Sequence, residues 1–174
     1  GTNLSVSKEL YLKKNTDKGP ELQKITAKNT LKTGDLVTVR LVISAKEDME
    51  FVHLKDMRAS CFEPVDVLSG YEYKGGLGFY RSTKDVATHF FFDRINKGTY
   101  VLEYDIRVNN LGNFSNGIST IESMYAPEYS SHTKGIRVNV KESENLHLQL
   151  KTVSLTQRNG FLFSSNLNTK QTFT

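Results

Sequence analysis

The chain has 174 residues, a net charge of +4 and a single cysteine, Cys61. This length is enough for one domain with its own core, and a single cysteine excludes an internal disulfide. Basic and acidic residues are mixed, 23 against 19, which argues against a nucleic-acid-binding surface, and no run of about 18 apolar residues predicts a membrane span. The first residues carry no signal-peptide pattern, so we interpret the chain as a mature protein or as part of a larger one.

Alternating apolar and polar residues predict a series of short β-strands, and between Glu50 and Val140 no segment of ten or more residues carries a helical stripe. Turn-forming residues, chiefly glycine, proline and asparagine, predict a loop at 15–20, an irregular segment around Pro64 and a hairpin that turns at Gly75 and Gly76. Strands are predicted at residues 4–13, 36–45, 51–56, 71–74, 79–81, 88–93, 98–108 and 135–140, with one more from near Phe114 to Met124. Short strands recurring in this way are typical of an antiparallel β-sandwich.

The domain organisation is predicted from changes in composition along the chain. We expect residues 1–30 to form a leading strand and loop, and residues 31–141 to form the core of an all-β sandwich with little or no helix. No acidic residue follows Glu144. For residues 142–174 we therefore expect an extra strand near 146–155, a disordered polar tail, or both.

Catalytic and metal-binding chemistry are not predicted from the polar residues. The four histidines are far apart in the sequence, so ordinary surface histidines are favoured over a zinc site assembled from separate strands. No local residue would lower the thiol pKa of Cys61, which we interpret as an inert, half-buried thiol and not as a nucleophile. We expect no enzyme activity, no cofactor and no metal; a β-sandwich hydrolase is the enzymatic alternative.

The aromatic residues leave two binding hypotheses open. Met124 and Tyr125 lie where the chain leaves a strand and meets a proline, and exposed apolar residues at such a corner more often cover something than stand free in water. Alternatively, Tyr71, Tyr73 and Tyr80 could form the glycan-binding face of a free-standing carbohydrate-binding or adhesin-type module. Core packing is the simpler explanation for most of the other aromatic residues.

A series of short motifs covers about residues 30–140 in a fixed order. They are Val52-His-Leu-Lys-Asp56, Phe62-Glu-Pro-Val65, Phe91-Phe-Asp93, Lys97-Gly-Thr-Tyr100, Gly112-Asn-Phe-Ser115, Glu122-Ser-Met-Tyr-Ala-Pro-Glu128 and Gly135-Ile-Arg-Val-Asn-Val140. Together they resemble the C-terminal macroglobulin-like domain of bacterial alpha-2-macroglobulins. The resemblance implies a macroglobulin or immunoglobulin-like sandwich that performs no chemistry itself and belongs to a large exported protein, periplasmic or anchored to the cell envelope.

The resemblance also implies a role in a protease trap, in which a bait segment is cut, a thioester is unmasked and the attacking protease is tethered. In thioester-bearing members, a Met-Tyr pair of this domain packs over the thioester and keeps out water and small amines. Met124 and Tyr125 occupy those motif positions, with Tyr129 close by. The implied partners are the thioester-type domain of the same parent chain and, indirectly, trapped proteases; we expect a monomer.

One motif departs from the thioester pattern of this family. The segment Cys61-Phe-Glu-Pro64 is similar to Cys-x-Glu-Gln only superficially, because Pro64 replaces the glutamine whose side chain would form the bond. The resemblance places the thioester of such proteins in a separate helical domain. Cys61 is therefore not predicted to form a thioester.

Overall fold

The computed structural model describes residues 3–142 and 151–156 of the chain. Its strands, in chain order, are β1 (Leu4–Thr16), β2 (Gly19–Lys24), β3 (Thr30–Lys32), β4 (Leu36–Ala45), β5 (Met49–Met57), β6 (Phe62–Pro64), β7 (Gly70–Lys74), β8 (Leu77–Thr83), β9 (Ala87–Ile95), β10 (Gly98–Val108), β11 (Gly112–Asn116), β12 (Ser119–Ser123), β13 (Ser130–His132) and β14 (Ile136–Lys141). This strand content confirms the predicted all-β fold.

The strands form two large sheets and one small sheet. The five-stranded sheet has the order β2-β1-β4-β10-β6, and the six-stranded sheet has the order β13-β12-β5-β9-β8-β7. The small sheet, β11-β14-β3, contains the one parallel pairing of the described strands, between β3 and β14; the other strand pairs are antiparallel. The sheets pack as a sandwich, as the sequence predicts.

Strict alternation of apolar residues builds the core between the two large sheets. In β4 every second residue, from Val37 to Ala45, is buried, and β5 contributes Val52 and Leu54 from the opposite sheet. Each large apolar side chain that leaves water in this way contributes roughly 1.5–3 kcal/mol. The burial of these side chains therefore holds the two sheets together.

The loop predicted at 15–20 is wrong, because β1 and β2 continue through it as a tight hairpin. Thr16 pairs directly with Gly19, so only two residues form the turn. Pro20 is compatible with β2 because β2 is the outermost strand of its sheet, where a missing N–H costs no ladder hydrogen bond.

The single strand predicted from near Phe114 to Met124 is instead two strands, β11 and β12, in different sheets. The break falls at Gly117. A Cβ atom at this residue would lie 2.4 Å from the Cβ atom of Met57, so the backbone passes β5 too closely for any side chain. This contact redirects the chain from the small sheet into the six-stranded one.

A compact unit of the chain ends at Lys141. Beyond it, the structure describes Glu142 and a short helix over 151–156. The extra strand predicted near 146–155 is thus wrong for 151–155, because the apolar alternation that suggested it ends at Leu150; 146–150 and the tail lie outside the described residues. Within the described ranges, no helix is long and apolar enough to cross a membrane.

Candidate functional site

The corner loop, residues 124–129, connects β12 to β13 and is closed by its own backbone hydrogen bonds. The N–H of Ser123 donates to the carbonyl of Tyr129 at 3.0 Å, and the N–H of Tyr129 donates to the carbonyl of Ala126 at 2.9 Å. The N–H of Ala126 in turn donates to the carbonyl of Ser123 at 3.2 Å. Backbone N–H and C=O groups lose their ladder partners where β12 ends, and these bonds replace those partners. The backbone of the loop therefore has a defined conformation.

The side chains of the corner loop have different surroundings. Met124 is 55% exposed and Tyr125 is 77% exposed, so both project from the domain. Tyr129, predicted to share their role, is partly buried and packs against the core. The structure therefore presents Met124 and Tyr125 as an accessible pair and places Tyr129 where it anchors the loop.

Phe51 of β5 supports this pair and was not singled out from the sequence. Its carbonyl accepts a hydrogen bond of 2.8 Å from the N–H of Met124. Its ring lies edge-to-face with that of Tyr125, with centroids 4.9 Å apart and an interplanar angle of 83°. The backbone φ angle of Phe51 is +53°, a left-handed conformation that bulky residues rarely adopt. In the sequence, the only indication of this role is that Phe51 alternates with the apolar residues of β5, which places its ring on the outer face of the strand.

Two histidines that are far apart in the sequence meet on the same outer face. Nε2 of His53 and Nδ1 of His89 are 2.9 Å apart, and the two rings are nearly parallel. The ring of Phe91 stacks on that of His53 with centroids 4.8 Å apart. Nevertheless, no group of three or more His, Cys, Asp or Glu residues is arranged to hold a metal within the described part of the chain.

Their surroundings disfavour a positive charge on either histidine. Burial lowers the pKa of His53, and the neighbouring His89 lowers it further. Burial is also the main cause that lowers the pKa of His89. In the contact between the two ring nitrogens, one imidazole donates and the other accepts. The charged groups that act on the pair are Lys55, Lys84, Arg58 and Glu122.

The three tyrosines of the alternative hypothesis also lie together. Tyr71 and Tyr73 on the edge strand β7 are 86% and 80% exposed. Tyr80 of β8 pairs with Tyr71, and their ring centroids are 5.0 Å apart. Tyr80 pairs in turn with Phe91. The outer face of the six-stranded sheet consequently carries a row of aromatic side chains that begins at its β7 edge.

Cys61 has the properties of a packing residue. It is fully buried, and burial raises the pKa of its thiol to about 11. The thiol therefore stays protonated near neutral pH and is a poor nucleophile.

Comparison with known proteins agrees with this architecture. The family model of the Bacterial Alpha-2-macroglobulin MG10 domain matches residues 4–128, which is more than half of the chain. Alpha-2-macroglobulin from Salmonella, reacted with methylamine, superimposes with a TM-score of 0.62 at 18% identity over 81% of this chain and 9% of that one.

Two structures of the protein from Escherichia coli are similar as well. The trypsin-activated form has a TM-score of 0.61 at 14% identity, and the native fragment from domain MG7 to the C-terminus has 0.63 at 14%. The matches cover 81% of this chain but 10% and 24% of those chains, so this chain corresponds to a small part of such proteins. A search of curated proteins found no match. By its fold and its match to the family model, the chain belongs to the family of bacterial alpha-2-macroglobulin MG10 domains.

Proposed function

We propose that this chain is a non-enzymatic docking domain of a bacterial alpha-2-macroglobulin-like protease inhibitor. In this role Met124 and Tyr125 pack on a thioester-type domain of the same protein and shield its thioester. The observation that carries the proposal is the exposure of these two apolar side chains on a loop whose backbone is closed by its own hydrogen bonds. A preformed apolar projection can dock on a partner at a low entropic cost.

The chemistry of the two side chains suits this role. A thioester hydrolyses when water or an amine reaches it, and a close-packed apolar cover excludes both. The Met124 thioether adapts its shape to an irregular surface, and the Tyr125 ring adds a large contact area with one polar end. Movement of the domain can release this cover, provided that the docking contacts are more favourable in free energy in the intact inhibitor than in the cleaved one.

The comparisons support this proposal at the level of the family. The similar structures are of much longer chains, including one that reacted with methylamine and one that was activated by trypsin. By analogy, this domain would have neighbouring domains in its parent protein, and proteases would be indirect partners. The analogy with such bacterial proteins also favours an exported parent, in the periplasm or anchored to the cell envelope.

The experiment is a double substitution, Met124→Ala with Tyr125→Ala, in the full-length parent protein. We expect the rate of inactivation by methylamine to rise about tenfold or more, which corresponds to the loss of about 1.4 kcal/mol of protection. The matched control is Tyr71→Ala with Tyr73→Ala, which removes exposed rings from the far edge of the sheet. A methylamine rate that is equal in the wild type and the Met124/Tyr125 variant would refute the shielding role.

A second candidate function is carbohydrate binding by Tyr71, Tyr73 and Tyr80. It is favoured by the position of the three rings on one outer face, with two of them almost fully exposed. Aromatic faces of this kind can stack against sugar rings. A glycan array probed with the wild-type chain distinguishes the two functions, because the docking hypothesis expects no binding. Any signal must disappear in the Tyr71/Tyr73 variant and persist in the Met124/Tyr125 variant.

A further inference from the structure

We infer that Phe51 is the positioning residue of the corner loop: its carbonyl fixes the backbone at Met124, and its ring fixes the orientation of Tyr125. The effect on thioester shielding rests on the proposed function. The effect on the loop does not, because it concerns contacts within this chain.

The backbone of Phe51 is the first support for the inference. On either side of it, β5 and β9 are paired in register, Glu50 with Arg94 and Val52 with Phe92. Phe51 itself adopts a φ angle of +53°, and its carbonyl accepts from Met124. This bond continues the contact between β5 and β12 one residue past the Ser123–Val52 pair, where the regular ladder ends.

The conformation is unfavourable for a phenylalanine, and a glycine would adopt it without strain. Strained backbone of this kind persists only where the surrounding structure imposes it, and it occurs preferentially at functional sites. Here the strained residue contacts both members of the exposed pair, Met124 through its backbone and Tyr125 through its ring. A glycine would relieve the strain, but it would not provide the ring.

The ring is the second support. Tyr125 is exposed over most of its surface, and among the described residues the ring of Phe51 packs against it. Edge-to-face contact restricts the directions in which the Tyr125 ring can point. Without this contact the phenol would occupy several rotamers, and a partner would have to bear the cost of ordering it.

The first test uses the 174-residue chain and three variants of Phe51. In Phe51→Ala and Phe51→Gly, we expect the ring resonances of Tyr125 to move towards those of an unstructured tyrosine, because the edge-to-face contact is lost. In Phe51→Gly, where the backbone of residue 51 is also freer, we expect hydrogen exchange of the Met124 amide to accelerate about two- to tenfold. Phe51→Tyr keeps an aromatic ring and should resemble the wild type. The matched control is Phe91→Ala, which removes a similarly exposed ring from the same face. Wild-type exchange and wild-type Tyr125 resonances in both small variants would overturn the inference.

The second test places the same substitutions in the full-length protein. We expect Phe51→Ala to raise the methylamine inactivation rate about two- to tenfold, and Phe51→Tyr to restore it. If the Met124/Tyr125 variant reacts faster and Phe51→Ala does not, the positioning role is refuted while the proposed function stands. If the Met124/Tyr125 variant also reacts at the wild-type rate, the proposed function fails, and the first test alone decides the role of Phe51.

Discussion

The buried ion pair of Lys8 with Asp56 and the exposed corner loop depart from the usual distribution of residues in opposite directions. Charged side chains are rarely fully buried, yet the Lys8 ammonium lies 2.6 Å from the Asp56 carboxylate and both side chains are almost inaccessible. Large apolar side chains are usually inside, yet Met124 and Tyr125 are exposed. Both exceptions are built on or against β5, which carries Asp56 near one end and Phe51 near the other.

The buried ion pair of Lys8 with Asp56 has all of its charged atoms in hydrogen bonds. The Lys8 ammonium also donates to the carbonyls of Met57 and Gly117, at 3.0 and 3.2 Å. Asp56 also accepts from the hydroxyls of Tyr104 and Ser119. The cluster thus joins β1 and β10 of one sheet to β5 and β12 of the other. A buried polar network of this kind fixes the relative position of the two sheets only while every member is present.

The corner loop behaves differently because Met124 and Tyr125 are exposed to solvent. Losing an apolar side chain that is already exposed costs the folded state little, because little apolar surface was removed from water on folding. Substitutions in the two regions should therefore have different effects. Substitutions in the buried cluster should change the stability of the domain, and substitutions in the corner loop should change what the domain binds.

The largest expected effect is that of Asp56→Ala. It leaves the Lys8 ammonium buried without its counterion, so we expect the free energy of unfolding to fall by about 3–5 kcal/mol in urea titrations. The control is Glu103→Ala, which breaks the partly exposed pair of Glu103 with Arg40, 2.8 Å apart, and should cost about 1 kcal/mol or less. Equal losses in the two variants would contradict the distinction between the interior cluster and ordinary ion pairs.

The next effect concerns Gly117, which supplies one of the carbonyls that bind Lys8. An alanine Cβ at this position would lie 2.4 Å from the Cβ and 2.8 Å from the carbonyl oxygen of Met57, so the backbone must shift. We expect Gly117→Ala to destabilise the domain by about 1–3 kcal/mol, measured by thermal unfolding. Gly70→Ala is the control, because a Cβ there has no neighbour within 4 Å. A similar melting temperature for the two variants would show that the chain adapts at Gly117.

Local sequence patterns predict some elements of the fold and miss others. The alternation in β4 and the pair Gly75-Gly76 are local patterns, and the structure has the expected strand and the expected two-residue hairpin turn. The glycines have φ angles of +62° and +82°, which this type of turn requires. The strands β3, β6 and β13 have three residues each, too few for alternation to identify them.

The candidate site is predicted in part for the same reason. The position of Met124 and Tyr125 at the end of a strand follows from local sequence. The contribution of Phe51 does not, because its conformation depends on a hydrogen bond to a residue more than seventy positions later. Similarly, the meeting of His53 with His89 depends on the pairing register of β5 and β9, which composition and alternation do not determine.

A smaller effect is expected for the histidine pair, which joins His53 of β5 to His89 of β9. Both pKa values are lowered in the folded state, so below about pH 6.5 the unfolded chain binds protons that the folded chain does not. The free energy of unfolding should therefore fall as the pH drops below this value. His53→Asn with His89→Asn should flatten this dependence, and Thr120→Asn should not. An unchanged pH profile in the double variant would show that other groups cause it.

The smallest effect on stability is expected for the corner loop itself. Met124→Ala with Tyr125→Ala in this chain should lower the free energy of unfolding by about 1 kcal/mol or less, because the lost contacts are mainly that of Tyr125 with Phe51. Tyr129→Ala, in the same loop, removes a ring that packs against the core and should cost clearly more in the same urea titration. If the double variant were the less stable of the two, Met124 and Tyr125 would be holding their own domain together. Their exposure would then no longer favour a partner.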